Sequence, residues 1–240
     1  MKGIILAGGS GTRLRPLTKI TSKQLLPIYN KPMIFFPLQT LLTAGITDIL
    51  IIVAPDHAGD FLKLLGSGRE YGCKFTYEIQ DKPEGLAQAF IIGENFLGTD
   101  AATLILGDNV YEDNFTDQIS NFETGGRVFL KKVSDPNRYG VAEFDDQKKV
   151  ISIEEKPENP KSDYAVTGLY IYDNTVVRRA KSLKPSARGE LEITDLNNHY
   201  LNDGQLDVAF VDGRWFDTGT FESLHDAIEF AREKELAHTT

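Results

Sequence analysis

The chain has 240 residues, 41% of them hydrophobic and 10% aromatic, enough to bury a full core. Its formal net charge of −9 argues against nucleic-acid or anionic-membrane binding through a general cationic field, so any cation cluster must be local. The single cysteine, Cys73, excludes an internal disulfide and a cysteine-rich metal site and reads as a packing residue.

The first apolar run, Ile4 to Ala7, is too short for a secretory or membrane-spanning segment, and a soluble cytoplasmic chain is expected. Lys2 to Ala7, Ile49 to Ala54 and Thr103 to Leu106 lack polar alternation, as strands covered on both faces of a parallel sheet do. Between them fall helical patterns at Met33 to Ala44, with Ile34, Leu38, Leu41 and Leu42 on one stripe and Gly45 as the stop, and at Leu86 to Phe96. This alternation predicts right-handed crossovers and a Rossmann-like α/β fold, an open, mostly parallel sheet flanked by helices. Farther on, Val141 to Phe144 and Val150 to Glu154 flank a polar turn as an inserted antiparallel hairpin. Tyr164 to Tyr172 reads as a partly buried strand in which Gly168 permits close approach. Helices at Asn174 to Ser182 and Ile193 to Asp203 precede a strand at Leu206 to Val211. Thr220 to His238 closes the chain as a helix, with Thr220 as N-cap and Glu222 in the first turn. No linker or repeat interrupts the chain, which predicts one domain over 1–240.

The stretch Leu6-Ala-Gly-Gly-Ser-Gly-Thr-Arg-Leu-Arg-Pro16 follows the first strand. It lacks both the third glycine of a dinucleotide fingerprint and the Gly-Lys-Ser/Thr ending of a Walker loop. Glycines after a buried strand still let backbone N–H groups converge on an anion, with Arg13 and Arg15 adding charge; a plain turn with solvated arginines is the alternative. Asp108 follows the apolar run Leu104 to Leu106, which puts its carboxylate beyond the carboxyl end of a central strand, where ligands of open α/β sheets collect. An Asx turn explains it equally well in isolation, as a cap explains Asp217. If the strand from Val150 continues, Glu155 shares a face with Ile151 and Ile153, and its carboxylate requires partners that sugar hydroxyls would supply. Ser10 lacks a nucleophile-elbow context, and the four histidines, His57, His199, His225 and His238, have no zinc-ligand spacing and read as surface or packing residues.

Together, "LAGGSGTRLRP", "SKQLLP", "KPMI", Gln80 with "PEGLAQA", "LGDN", "RYGV", "EEKP", "YAVTG", "PSARGELEITD" and "WFDTG" resemble the sugar-1-phosphate nucleotidyltransferases, and among them the glucose-1-phosphate thymidylyltransferases, from residue 2 to about residue 230. The resemblance implies that dTTP and glucose 1-phosphate give dTDP-glucose and pyrophosphate, with Mg2+, on a route to deoxysugar nucleotides such as that of rhamnose. It implies that Gly8, Gly9, Gly11, Thr12 and Arg13 hold the triphosphate, while Lys23 contacts phosphate oxygens during transfer. Leu6, Gln24, Gln80, Pro83, Gly85 and Asp108 would face the nucleotide, with Gln80 on the thymine edge. Asp108 and Asp217 would carry the metal, and Asn109, Tyr139, Gly140, Glu155, Lys156, Val166 and Arg188 would bind the sugar phosphate. It implies that Arg13, Lys23, Lys156, Asp108 and Asp217 are the catalytic set, with residues 1–130 mainly nucleotide-binding and 131–240 mainly sugar-phosphate-binding.

The chemistry makes sense of those residue types. A dianionic sugar phosphate must approach a polyanion, and each like-charge pair at about 4 Å opposes this by roughly 4 kcal/mol at an effective dielectric near 20. Several cations and a divalent ion can offset that together, and transfer by in-line attack needs no protein nucleophile. Competing readings are a relative using UTP or another hexose 1-phosphate, and a non-catalytic nucleotide-sugar sensor. Longer members of the family continue past the last helix into structure used for subunit packing and feedback. For a chain ending at Thr240, feedback inhibition is expected to be weak or absent and the homo-oligomer to be assembled differently.

Overall fold

After its first residue every position of Lys2–Ala7 is buried, as a strand covered on both faces requires. In the computed structural model, which describes residues 1–9 and 11–239 with the side chains of His238 and Thr239 left out, this strand is β1. The expectations for Ser10 and for the His238 side chain lie outside the described residues. The further strands are β2 Pro27–Ile28, β3 Lys31–Pro32, β4 Asp48–Val53, β5 Lys74–Ile79, β6 Ala102–Leu106, β7 Asn109–Tyr111, β8 Gly126–Lys132, β9 Gly140–Phe144, β10 Val150–Glu155, β11 Tyr164–Tyr172, β12 Leu206–Phe210 and β13 Trp215–Asp217. The helices are α1 Phe35–Thr43, α2 Ala58–Leu65, α3 Gln88–Ile92, α4 Glu94–Leu97, α5 Thr116–Ser120, α6 Val176–Ser182, α7 Ile193–Asn202 and α8 Phe221–Thr239.

The main sheet runs β10-β9-β11-β6-β1-β4-β5, with β8 on β11 and β12 on β8. β6, β1, β4 and β5 are mutually parallel, while β11 joins β6 antiparallel and carries the β9–β10 hairpin. Alternation along the central strands divides the core in two. Ile4, Leu50 and Leu104 face a layer with Phe90, Val176 and Leu196 of α3, α6 and α7. Ile5, Ile49 and Ile105 face Leu38, Phe61 and Ile119 of α1, α2 and α5. A third cluster packs Leu224, Ala227 and Phe230 of α8 on Leu14, Met33 and Val110, fixing the glycine-rich segment against β7. Thr220 caps α8: its Oγ1 accepts from the Ser223 N–H at 3.2 Å.

Three local expectations are corrected. The helix expected over Leu86 to Phe96 is two short pieces, α3 and α4, parted at Gly93, whose φ of −81° and ψ of 6° lie outside the helical basin. The first helix begins at Phe35 rather than Met33, because Lys31–Pro32 pairs with β2. Ile151 does not share the buried face of Ile153: the β9–β10 register shifts between Val150 and Ser152, leaving Ile151 51% exposed while Val150 and Ile153 are buried.

Candidate active site

Of the glycines after β1, Gly8 and Gly11 are required by their surroundings, whereas a β-carbon on Gly9 would meet nothing within 4 Å. A β-carbon on Gly8 would stand 2.3 Å from Gln80 Oε1, and Gly11 takes a left-handed φ of +59°. The turn Thr12–Leu14 follows, with Leu14 buried as its anchor. Gln80, at the end of β5, is buried and donates Nε2–H to Gln88 Oε1 at 2.7 Å. Gly85, at φ +106°, lies against the backbone of Leu191, whose N–H donates to Glu84 O at 2.7 Å and whose carbonyl accepts from the Ala87 N–H at 3.2 Å. Leu6, Gly9, Lys23, Gln24, Gln80, Pro83, Gly85 and Asp108 thereby line one cavity of about 180 Å³. Gly8, Gly11 and Thr12 border it without lining it.

A second cavity of about 330 Å³ adjoins the first through Leu86, Leu106, Asp108 and Glu190, which line both. Arg13, Asn109, Tyr139, Gly140, Glu155, Lys156, Val166, Arg188 and Asp217 are all in its wall. The short β7–β13 ribbon assembles its floor by pairing Asp217 with Asn109. The register of β11 on β8 shifts between Val166 and Tyr170, and the irregular stretch turns the Gly168 N–H to Asn109 Oδ1 at 3.2 Å. The Trp215 indole N–H donates to the same oxygen at 2.6 Å, and its ring packs on Tyr139, centroids 5.2 Å apart. Lys156 follows β10 in a left-handed conformation, φ +46°, with its N–H bonded to Tyr139 O at 2.9 Å.

The acidic side of this cavity is more heavily bonded than expected. Glu155 accepts from Thr194 Oγ1 at 2.6 Å and from Arg188 Nη2 at 3.3 Å, so protein groups already supply the partners that were assigned to sugar hydroxyls. Arg188 also binds Glu192 at 2.8 Å and lies 3.4 Å from Glu190. Four cationic and five anionic side chains line the larger cavity, so the lining is not by itself a net positive receptor for phosphate.

The carboxylates on the floor differ in state. Burial pushes Asp108 up, but the charge and hydrogen bond of Lys23, with a hydrogen bond from Asn109, hold it below the usual carboxylate range. Burial raises Asp217, and the neighbouring Asp108 charge raises it further. Tyr139 is pushed up to about 12 by burial and by the Asp217 charge. A desolvated pair of carboxylates, one of them ion-paired with Lys23, is a donor set that a hard divalent cation fits. No group of three or more His, Cys, Asp or Glu side chains able to hold a metal occurs among the described residues. A cation on Asp108 and Asp217 would therefore complete its shell with phosphate oxygens and water.

Sequence reasoning gave no role to Arg138, Glu190, Glu192, Thr194 or Trp215, all in the larger cavity. The two-residue spacing of Trp215 and Asp217 could have found Trp215, since it puts both on one face of a strand. Cys73 is half-buried and burial pushes its thiol up, as a packing residue requires; His57 pairs with Asp60 at 3.4 Å, and His225 is exposed.

Comparison with known proteins identifies the family to which the chain is similar. The nucleotidyl transferase family profile matches residues 2–234. A glucose-1-phosphate thymidylyltransferase of Neisseria meningitidis serogroup A is 56% identical, over 97% of this chain and 83% of its own. That of Mycolicibacterium smegmatis is 54% identical, over 98% and 84%. A crystal structure from Bacillus anthracis described as a glucose-1-phosphate thymidylyltransferase, in complex with sucrose, superimposes with a TM-score of 0.92 at 51% identity, covering 97% of this chain and 95% of that one. A UDP-glucose pyrophosphorylase complexed with UDP-glucose shares the fold, with a TM-score of 0.86 at 24% identity over 97% and 98% of the two chains.

Proposed function

From a chain that belongs to the nucleotidyl transferase family, we propose an enzyme that makes dTDP-glucose and pyrophosphate from dTTP and glucose 1-phosphate. One observation carries the reading: two adjoining cavities share Asp108, one walled by Gly9, Lys23 and Gln80, the other by Lys156, Glu155 and Arg188. The triphosphate occupies the first and the sugar phosphate the second, with the α-phosphoryl group at the shared wall. A phosphate oxygen of the sugar phosphate attacks the α-phosphorus, the bond from that phosphorus to the bridging oxygen breaks, and pyrophosphate leaves in line. Lys23 in the first cavity holds triphosphate oxygens, Arg13 reaches them from the wall of the second at the shared edge, and Lys156 and Arg188 orient the attacking phosphate. Asp108 and Asp217 would hold a divalent ion, which supplies charge neutralisation at the α-phosphoryl group. Magnesium is the ion favoured by two carboxylates with phosphate oxygens and water.

The same reading takes the enzyme as a cytoplasmic homo-oligomer. Its support is that nucleoside triphosphates reside in the cytoplasm and that Leu17 and Ile20 leave large apolar side chains exposed; light scattering giving a monomer overturns the assembly. No helix among the described residues is long and apolar enough to cross a membrane. The test of the reaction is a matrix of triphosphates against sugar 1-phosphates with magnesium, products identified by mass. The highest kcat/KM is expected for dTTP with glucose 1-phosphate. A higher value for UTP or another hexose replaces the specificity, and release of no pyrophosphate from any pair overturns the reaction.

A further inference from the structure

The two carboxylates on the cavity floor come from segments more than a hundred residues apart, and a single fully buried residue ties them together. Thr218 directly follows Asp217, and it donates both its N–H and its Oγ1–H to the backbone carbonyl of Asp108, at 3.0 and 2.7 Å. A hydroxyl has one proton. Met33 Sδ also lies 3.1 Å from Oγ1, but the carbonyl is nearer and the better acceptor, so the proton goes to Asp108 and the thioether packs against the hydroxyl. The β7–β13 ladder ends at the Asp217–Asn109 pair, and the Thr218 bonds extend the connection one residue beyond it, to the residue that bears the other carboxylate.

Asp108 is fixed at its other end as well. Asn109 Nδ2 donates to Asp108 Oδ1 at 3.0 Å, and the Asn109 amide is oriented by the Trp215 indole and the Gly168 N–H already described. The carboxylate can therefore shift mainly by moving its own main chain, which is where Thr218 holds it. Thr218 lines neither cavity, so it cannot touch substrate.

Building on the reading of Asp108 and Asp217 as the divalent-ion pair, we infer that Thr218 is a positioning residue. Its hydroxyl fixes the separation of the two carboxylates and so sets the affinity of the site for the cation. The backbone N–H survives any substitution, so the hydroxyl is the part to test. Thr218→Val keeps the shape and removes it, and Thr218→Ser keeps it and removes the methyl group. Binding of Mn2+ to each protein with saturating dTTP is measured by electron paramagnetic resonance, alongside the divalent concentration giving half-maximal turnover.

Thr218→Val is expected to weaken Mn2+ binding and raise the activating concentration by about tenfold, the usual scale for an outer-shell partner. Saturating metal restores kcat, the KM for glucose 1-phosphate is unchanged, and Thr218→Ser tracks the wild type. Thr218→Ala carries the expectation of the valine variant should that protein fail to fold. A valine or alanine variant that binds Mn2+ like the wild type overturns the inference. So does a serine variant as weak as valine, or a kcat loss that metal does not restore, since a merely structural role would lower stability without moving the metal constant. The reaction assigned to the site fails separately, if the wild-type protein itself releases no pyrophosphate.

Discussion

A β-carbon on Gly219 would lie 2.6 Å from Arg13 Nη2 and 3.2 Å from Asp217 Oδ1. Glycine at this position is what lets the guanidinium rest beside the carboxylate floor, where its charge lowers the Asp217 carboxyl against the upward pull of burial and Asp108. Gly219→Ala is expected to push Arg13 away and raise the KM for dTTP about tenfold, the scale of one charged hydrogen bond. The KM for glucose 1-phosphate changes less, and an unchanged KM for dTTP contradicts this role for Arg13. Residues of this kind were unevenly legible in the sequence. Arg13, Lys23 and Lys156 stand in short motifs that carry a family resemblance. Arg138, Glu190 and Glu192 owe their place to how loops and strands meet: Glu190 reaches both cavities only because Leu191 is strapped to the Glu84–Ala87 backbone.

Complete burial sharpened the bounds of an element rather than deciding whether it could be read, since β12 and α8 were also read although many of their residues are exposed. Lys2–Ala7 and Tyr164–Tyr172 were bounded to the residue because almost every side chain in them meets protein. β5 escaped notice as an edge strand whose Lys74, Glu78 and Ile79 are exposed. β7 and β13, three residues each, are too short to show a period, yet they place Asn109 and Asp217. α8 holds this ribbon by charge as well as by apolar contact. Glu112, just after β7, meets Lys234 at 2.8 Å and Arg214 at 3.0 Å, and Arg214 also meets Glu233 at 2.7 Å. Hydrogen bonds from Lys234 and then Arg214 lower the Glu112 carboxyl to about 2 from an ordinary 4.5. The unfolded chain therefore takes up this proton first as pH falls. The stabilisation is present above pH 4.5 and lost between 4.5 and about 2. Glu112→Gln should flatten the fall of Tm with acidification across that window, and cost no more than about 1 kcal/mol near neutrality because the cluster is solvent-screened. An acid limb as steep as the wild type's refutes this.

At the scale of the molecule, a chain with a net charge of −9 handles two polyanions. Four cations, Arg13, Arg138, Lys156 and Arg188, are brought to one cleft, where five acidic side chains outnumber them. This arrangement favours neutralisation at the point of transfer over long-range steering, and in the proposed reaction a divalent ion would supply the positive charge that the lining lacks. The fold class was legible from the alternation of buried strands and helices, whereas the convergence of residues 13, 108, 156 and 217 follows from strand order and the β7–β13 ribbon, which no local pattern encodes. Direct attack of one bound phosphate on another forms no covalent nucleotidyl-protein. Exchange of radiolabelled pyrophosphate into dTTP tests it most directly, measured with magnesium and with or without glucose 1-phosphate. Exchange is expected only when the sugar phosphate is present; exchange in its absence would reveal a nucleotidylated protein and overturn direct transfer.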